Sequence, residues 1–201
     1  MRDAATYVIA ALVAPAALAI LGKLLMPKRR MLIPGRAALF LTVSLALGPF
    51  LIANVGLKNV WGRMRPLDVV QFGGADRFTP WWDPRGPCSV NCSFVGGEAA
   101  SAFWTLAPAA LTPPQWRPLA FGAALAFGSG IGVLRMAGGG HFFTDIVFAG
   151  VLMFLVVWAL YGAIYRWRRT RLTDEAVEGP LERAGNAMRG WLGGRKRQSS
   201  R

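Results

Sequence analysis

The chain has 201 residues, of which 54% are hydrophobic, and its mean hydropathy is +0.37. That composition excludes an ordinary soluble domain and indicates a membrane protein. Its formal charge of +13 comes from 23 Lys and Arg against 10 Asp and Glu, so the placement of the basic residues decides between a nucleic-acid partner and a bilayer.

Apolar stretches near 5–26, 37–57, 93–111, 118–134 and 142–165 follow one another along the chain. Each is at or close to the roughly 20 residues needed to cross a hydrocarbon core of about 30 Å. They predict an all-α, polytopic membrane helical bundle of about five transmembrane helices. The first stretch carries only Arg2 ahead of it and ends in Lys28-Arg29-Arg30, a stop-transfer pattern rather than a cleavage site, and is kept as a span. Lys23, Lys28, Arg29, Arg30, Arg36, Arg117, Arg166, Arg168, Arg169 and Arg171 fall at span ends that alternation puts on one side. The positive-inside rule makes that side cytoplasmic. The charge therefore speaks for a bilayer, and no nucleic acid is expected as a partner. The N-terminus is expected outside and the C-terminus inside, with 58–92 and 135–141 exported, in the inner (plasma) membrane with the site facing the periplasm or exterior. Lys58, Arg63, Arg65, Arg77, Arg85 and Arg135 lie in those exported segments against the rule, which calls for a local reason such as an anionic ligand.

Leu67 to Asn91 is rich in Gly, Pro, Asp and Trp, and reads as an external cap. Trp81 and Trp82 in it suit either the lipid–water interface or packing onto span ends. Cys88 and Cys92 in the cap fit either a disulfide, which an exported segment allows, or two free thiols. Two Cys and one His fall short of a zinc site, so no metal is expected. In the fourth span Gly128, Gly130 and Gly132 include a small-xxx-small spacing for close helix packing. After Arg171, Val177, Leu181, Ala184, Met188 and Trp191 recur at helical spacing. With Pro180 breaking its start and Lys196 and Arg197 beyond, this predicts a C-terminal amphipathic helix on the cytoplasmic surface. The domain reading is 1–171 for the membrane domain and 172–201 for the tail.

Charged groups in or at the mouth of spans are costly and point to function. Glu98 and Asp145 are the acidic residues inside expected spans, both near external ends, and His141 is the one histidine in the chain. Four residues apart, His141 and Asp145 share a helix face. A carboxylate on one ring nitrogen fixes the tautomer and leaves the other free to attack. Lys58, Arg65 and Arg135 supply three positive centres for a phosphoryl group, and Gly96 and Gly97 open the third span, where helix N–H groups favour an anion.

Lys58, six residues and Arg65-Pro66; then Val95-Gly96-Gly97-Glu98; then Arg135, five residues, His141, three more and Asp145: this pattern resembles the type-2 phosphatidic acid phosphatase and haloperoxidase superfamily, over 58–145 directly. The resemblance implies a helical bundle with its site at the external face. Lys58, Arg65 and Arg135 would bind phosphate, His141 would form a phosphohistidine, and Asp145 would orient it, with no cofactor. Two departures stand out. The family's Pro-Ser-Gly-His is Val95-Gly96-Gly97-Glu98, so a phosphate-contacting serine is gone and Glu98 replaces the acid histidine; Leu134 replaces the serine common before the arginine. Glutamate acts as a general acid only if it holds a proton at the working pH; ionised, it can still activate water. A lipid diphosphate or sugar phosphate suits the second case. The expected activity is a lipid phosphate or diphosphate phosphatase. A lipid phosphotransferase and an inactive phosphate-binding membrane protein are the other readings; a soluble haloperoxidase is excluded by the spans.

Overall fold

The structure, a computed structural model, describes residues 2–198. Its regular structure is helical: α1 (Arg2–Leu25), α2 (Gly35–Val60), α3 (Gly97–Phe103), α4 (Leu106–Leu111), α5 (Arg117–Ala137), α6 (Phe143–Arg166) and α7 (Asp174–Gln198). Among the described residues four helices are long and apolar enough to cross a membrane: Ala5–Leu25, α2, α5 and α6, of 21, 26, 21 and 24 residues. The chain is a multi-pass membrane protein.

The fifth apolar stretch, expected as one span over 93–111, is instead the pair α3 and α4. Pro108 accounts for the break. It has no N–H to give, and in a continuous helix its ring would press on the carbonyl four residues back, that of Trp104. That carbonyl turns to accept from Ala107 N at 2.8 Å, and Thr105 Oγ1 donates to Ala102 O at 2.7 Å. Both short helices are almost wholly buried.

The chain divides into two compact units, residues 2–10 with Val43–Leu160, and Ala11–Thr42 with 161–198. In the first, Ala53, Phe94, Val95, Ala99, Ala100, Phe103, Ile146, Ala149 and Met153 form one buried cluster. Glycines on α5 let its neighbours close on it: a Cβ at Gly128 would run into the Phe103 ring and one at Gly132 into Ile146, while Gly130 faces open space. Two of the three glycines therefore do the packing the spacing suggested. Residues 61–96 form the cap. Trp61 Nε1 donates to Trp81 O at 2.6 Å, and Trp81 packs against Phe148 with centroids 4.4 Å apart and the rings tilted by 37°, while Trp82 is exposed.

In the second unit Phe40 is buried edge-on against Tyr161 and Tyr165. The amide N and guanidinium of Arg36 both donate to the Asp174 carboxylate, and buried Lys23 pairs with Glu182 at 3.0 Å. These contacts seat α7, which starts six residues before Pro180 rather than at it. Thr173 Oγ1 accepts the Ala176 N–H at 3.2 Å, and Asp174 and Glu175 place negative charge in the first turn, so the N-terminus is capped ahead of the proline. Met188 and Trp191 on α7 are exposed. The side chains of Lys196 and Arg197 lie outside those described.

Candidate active site

Every residue the sequence singled out for chemistry falls in the first unit, where backbone hydrogen bonds gather three separate segments. Helix α2 carries Lys58 at its end; its middle, Ala46–Leu57, winds wider than an α-helix around Pro49. From the cap, Cys92 N donates to Lys58 O at 3.0 Å and Ser93 N to Arg63 O at 2.8 Å. Leu67 N donates to Gly139 O at 3.2 Å, which ties the Arg65-Pro66 segment to the turn ahead of His141. Gly139 adopts φ +63°, the left-handed region that glycine enters freely.

His141 is 2% exposed. Its Nδ1 donates to the Ser93 carbonyl at 2.7 Å, an acceptor only, which fixes the proton on Nδ1 of the neutral ring and leaves the lone pair on Nε2. Asp145 does not perform this job directly: its Oδ2 is 3.8 Å from Nδ1, beyond a hydrogen bond. The same oxygen accepts from Ser93 Oγ at 2.5 Å and from Phe142 N at 2.9 Å. Asp145 therefore acts on the ring through the serine and the backbone around it.

The partner that holds Asp145 is Arg63. Its Nη1 donates to Asp145 Oδ1 and, at 2.7 Å, to Thr144 Oγ1; its Nε donates to Thr79 O at 3.0 Å. The guanidinium lies 4.3 Å from the Phe142 ring centroid and is 2% exposed. Burial pulls it below its ordinary pKa, against the opposing charge and hydrogen bond of Asp145. Arg63 and Ser93 were not singled out by motif. The signal for Arg63 was its place in a segment expected to be exported, against the positive-inside rule, and what it meets is a carboxylate of the protein itself.

Around this floor sit the expected phosphate ligands. Arg65 Nη2 donates to Asn91 O at 2.9 Å, and Asn91 holds φ +55° one residue from Cys92. Cys88 and Cys92 are bridged, with Cα atoms 5.7 Å apart, so the disulfide closes the loop that presents the Asn91 carbonyl. The Arg135 guanidinium packs on Gly140, where an added Cβ would meet Nη2 at 2.8 Å. Its Nε stands 3.1 Å from Glu98 Oε2, yet the N–H is not aligned on that oxygen and counts as unpaired. The contact is an ion pair without hydrogen-bond geometry. Lys58 is half-buried at the helix end. Gly96 is buried and its N–H is committed to Asp145 O at 3.3 Å, and a Cβ at Gly97 would collide with Asn54. Both glycines thus serve close packing. Among the described residues no three His, Cys, Asp or Glu side chains gather as metal ligands would.

An open cavity of about 530 Å³ runs beside His141, walled by Pro66, Leu67, Phe72, Met136, Ala137, Gly138, Gly139, Phe142 and Phe143. A buried imidazole at the wall of a largely apolar cavity suits a polar headgroup carried on a hydrophobic body.

A membrane helical bundle with a histidine, an aspartate and basic side chains drawn from three spaced motifs defines a class of phosphate-handling membrane protein. The chain belongs to the PAP2 superfamily, which it matches over residues 37–169. It is 42% identical over 132 residues to a lipid A 4'-phosphatase of Francisella tularensis subsp. novicida, covering 65% of this chain and 60% of that protein. It is 40% identical over 116 residues to a lipid A 4'-phosphatase of Rhizobium leguminosarum, covering 58% and 49%. The chain thus spans about half to three fifths of the length of these curated relatives. No solved structure matches it.

Proposed function

We propose that this protein is a lipid phosphate phosphatase working at the external face of the inner membrane, with lipid A or a like phosphorylated glycolipid as substrate. The observation that carries the reading is the Ser93 carbonyl on His141 Nδ1, which leaves Nε2 as the nucleophile beside an apolar cavity. Lys58, Arg65 and Arg135 bind the phosphoryl group and stabilise its developing charge. Nε2 attacks phosphorus, the lipid alkoxide leaves, and water then releases phosphate from the phosphohistidine. The names of the relatives supply the substrate class, and the cytoplasmic bias of basic residues supports the orientation.

The test is release of inorganic phosphate from lipid A, phosphatidate, phosphatidylglycerophosphate and undecaprenyl diphosphate by the purified chain in detergent. His141→Ala is expected to abolish release while eluting as a folded species, and activity is expected to survive EDTA because the cations are side chains. Undiminished release by His141→Ala overturns the reading.

A further inference from the structure

His141 and Asp145 stand four residues apart, a spacing that lets a carboxylate reach an imidazole, yet the Nδ1 proton goes to a backbone carbonyl. Ser93 O accepts it at 2.7 Å, while Asp145 Oδ2 stays 3.8 Å from Nδ1. Three donors hold the carboxylate away. Arg63 Nη1 donates to Oδ1, and Ser93 Oγ at 2.5 Å and Phe142 N at 2.9 Å donate to Oδ2. Arg63 is itself fixed, because its guanidinium also donates to Thr79 O and Thr144 Oγ1 and lies against the Phe142 ring. Ser93 joins the parts: its carbonyl orients the ring, its hydroxyl holds the carboxylate, and its N–H donates to Arg63 O at 2.8 Å.

We propose that Arg63 and the Ser93 hydroxyl are positioning residues: they hold the Asp145 carboxylate off the His141 ring, so that a neutral carbonyl orients the ring and Nε2 stays unprotonated. The inference deepens the phosphatase reading and rests on it for the role of Nε2. A carboxylate bonded to an imidazole N–H favours the imidazolium, in which both ring nitrogens carry protons and neither has a lone pair. A carbonyl fixes the same orientation without a net charge. Arg63 stays protonated in a protein interior, so its charge offsets that of Asp145 and leaves the ring beside a neutral pair. The other charged side chains of the site are Lys58 on α2, Arg65 in the cap, Arg135 on α5 and Glu98 on α3, and Glu98 stands against Arg135. Cations favour the neutral ring. The anion nearest Nδ1 is thus Asp145, and where its oxygens are held decides the charge state of the ring.

The chain has a single histidine, so full-length protein made with isotope-labelled histidine shows one imidazole by NMR in detergent. The parent ring is expected to be neutral, with its proton on Nδ1; a neutral ring protonated on Nε2 overturns the proposal. Ser93→Ala keeps the carbonyl and removes the hydroxyl, which frees Asp145 Oδ2 to close on Nδ1. Its Nε2 is expected to gain a proton at higher pH than in the parent. In step with that, kcat/KM for a lipid phosphate should fall on the order of tenfold at the acid end of the profile and recover as pH rises. Arg63→Gln, which keeps a donor for Oδ1 and removes the charge, is expected to move ring protonation in the same direction, and Arg63→Lys to lie nearer the parent. A loss of kcat/KM equal at every pH, with ring protonation unmoved in Ser93→Ala, is what a merely structural role gives and overturns the proposal, whether or not the Arg63 variants fold. The expected ring behaviour in a chain that releases phosphate from none of the lipids supports the positioning and removes the phosphatase reading, so the two fail separately.

Discussion

Arg63 meets Asp145 with side chains 3% and 0% exposed, whereas Arg85 meets Asp83 with its guanidinium 85% exposed. Both pairs join an arginine of the cap to an aspartate. In the first pair each charge is out of water and depends on the other, so the geometry of His141 is built on it through Ser93. In the second, solvent serves the guanidinium as well as its partner does. By the exposure of the arginine, Arg135 beside Glu98 lies between them at 24%. The arginines therefore fall in order of exposure: a fixed floor, a partly open rim and a solvated periphery.

Breaking the floor is expected to have the largest effect. Arg63→Met strands a buried carboxylate, at a cost of about 3–5 kcal/mol, a large share of the 5–15 kcal/mol that typically separates folded from unfolded chains. The melting temperature in detergent should fall sharply and phosphate release should vanish. The double variant Arg63→Met/Asp145→Leu should recover much of the lost melting temperature with no activity, because an apolar pair removes the stranded charge without restoring the scaffold of His141. Equal melting of Arg63→Met and the parent would erase the contrast between the pairs.

The rim answers differently. Arg65→Ala is expected to raise KM or lower kcat/KM by roughly tenfold to a hundredfold, the worth of a hydrogen bond to a charged group at about 1.5–3 kcal/mol, with little change in melting. Lesser still should be the loss of the Cys88–Cys92 bridge. Closing so short a loop contributes about 2 kcal/mol by chain entropy, and the loop carries the Asn91 carbonyl that aims Arg65. Cys88→Ser, or reduction with dithiothreitol, should raise KM several-fold and leave kcat within about a factor of two if the loop acts on binding alone. Asn91→Gly, which keeps the positive φ, should behave as the parent, and Asn91→Val should reproduce the bridge variant. A fall in kcat with KM unchanged would place the loop with the floor instead.

Much of this arrangement is legible in the residues. Hydropathy located four of the five expected spans, and the spacings of Lys58, Arg65, Arg135, His141 and Asp145 carried the family, because both are local patterns. The break at Trp104 was less visible, since Pro108 reads as one more residue in an apolar run until its effect on the carbonyl four residues back is considered. The early start of α7 turned on Thr173, a single capping hydroxyl. Ser93 and Arg63 lay beyond reach for another reason. Their roles come from tertiary contacts spanning 52 residues to Asp145 in one case and 82 in the other, and no periodicity records such a meeting. The place of Glu98 in the second motif was visible at once, but its ion pair with Arg135 was not.

The periphery supplies the smallest prediction and the control for the rest. The Arg85 side-chain hydrogen bond holds the Asp83 carboxyl below its ordinary pKa. A group depressed in the folded state adds stability that is present above its unfolded value and fades as pH falls through the folded one. Asp83→Asn should therefore differ from the parent, if at all, at neutral pH and converge with it in acid, below the usual carboxylate range. Because the Arg85 guanidinium stays in water, the pair is screened and the melting curves should overlay at pH 7 as well. Arg63→Met, by contrast, should melt low throughout the neutral range. A resolvable loss for Asp83→Asn at pH 7 that disappears in acid would mean the outer pair supports the cap, and that burial alone does not sort the arginines of the cap.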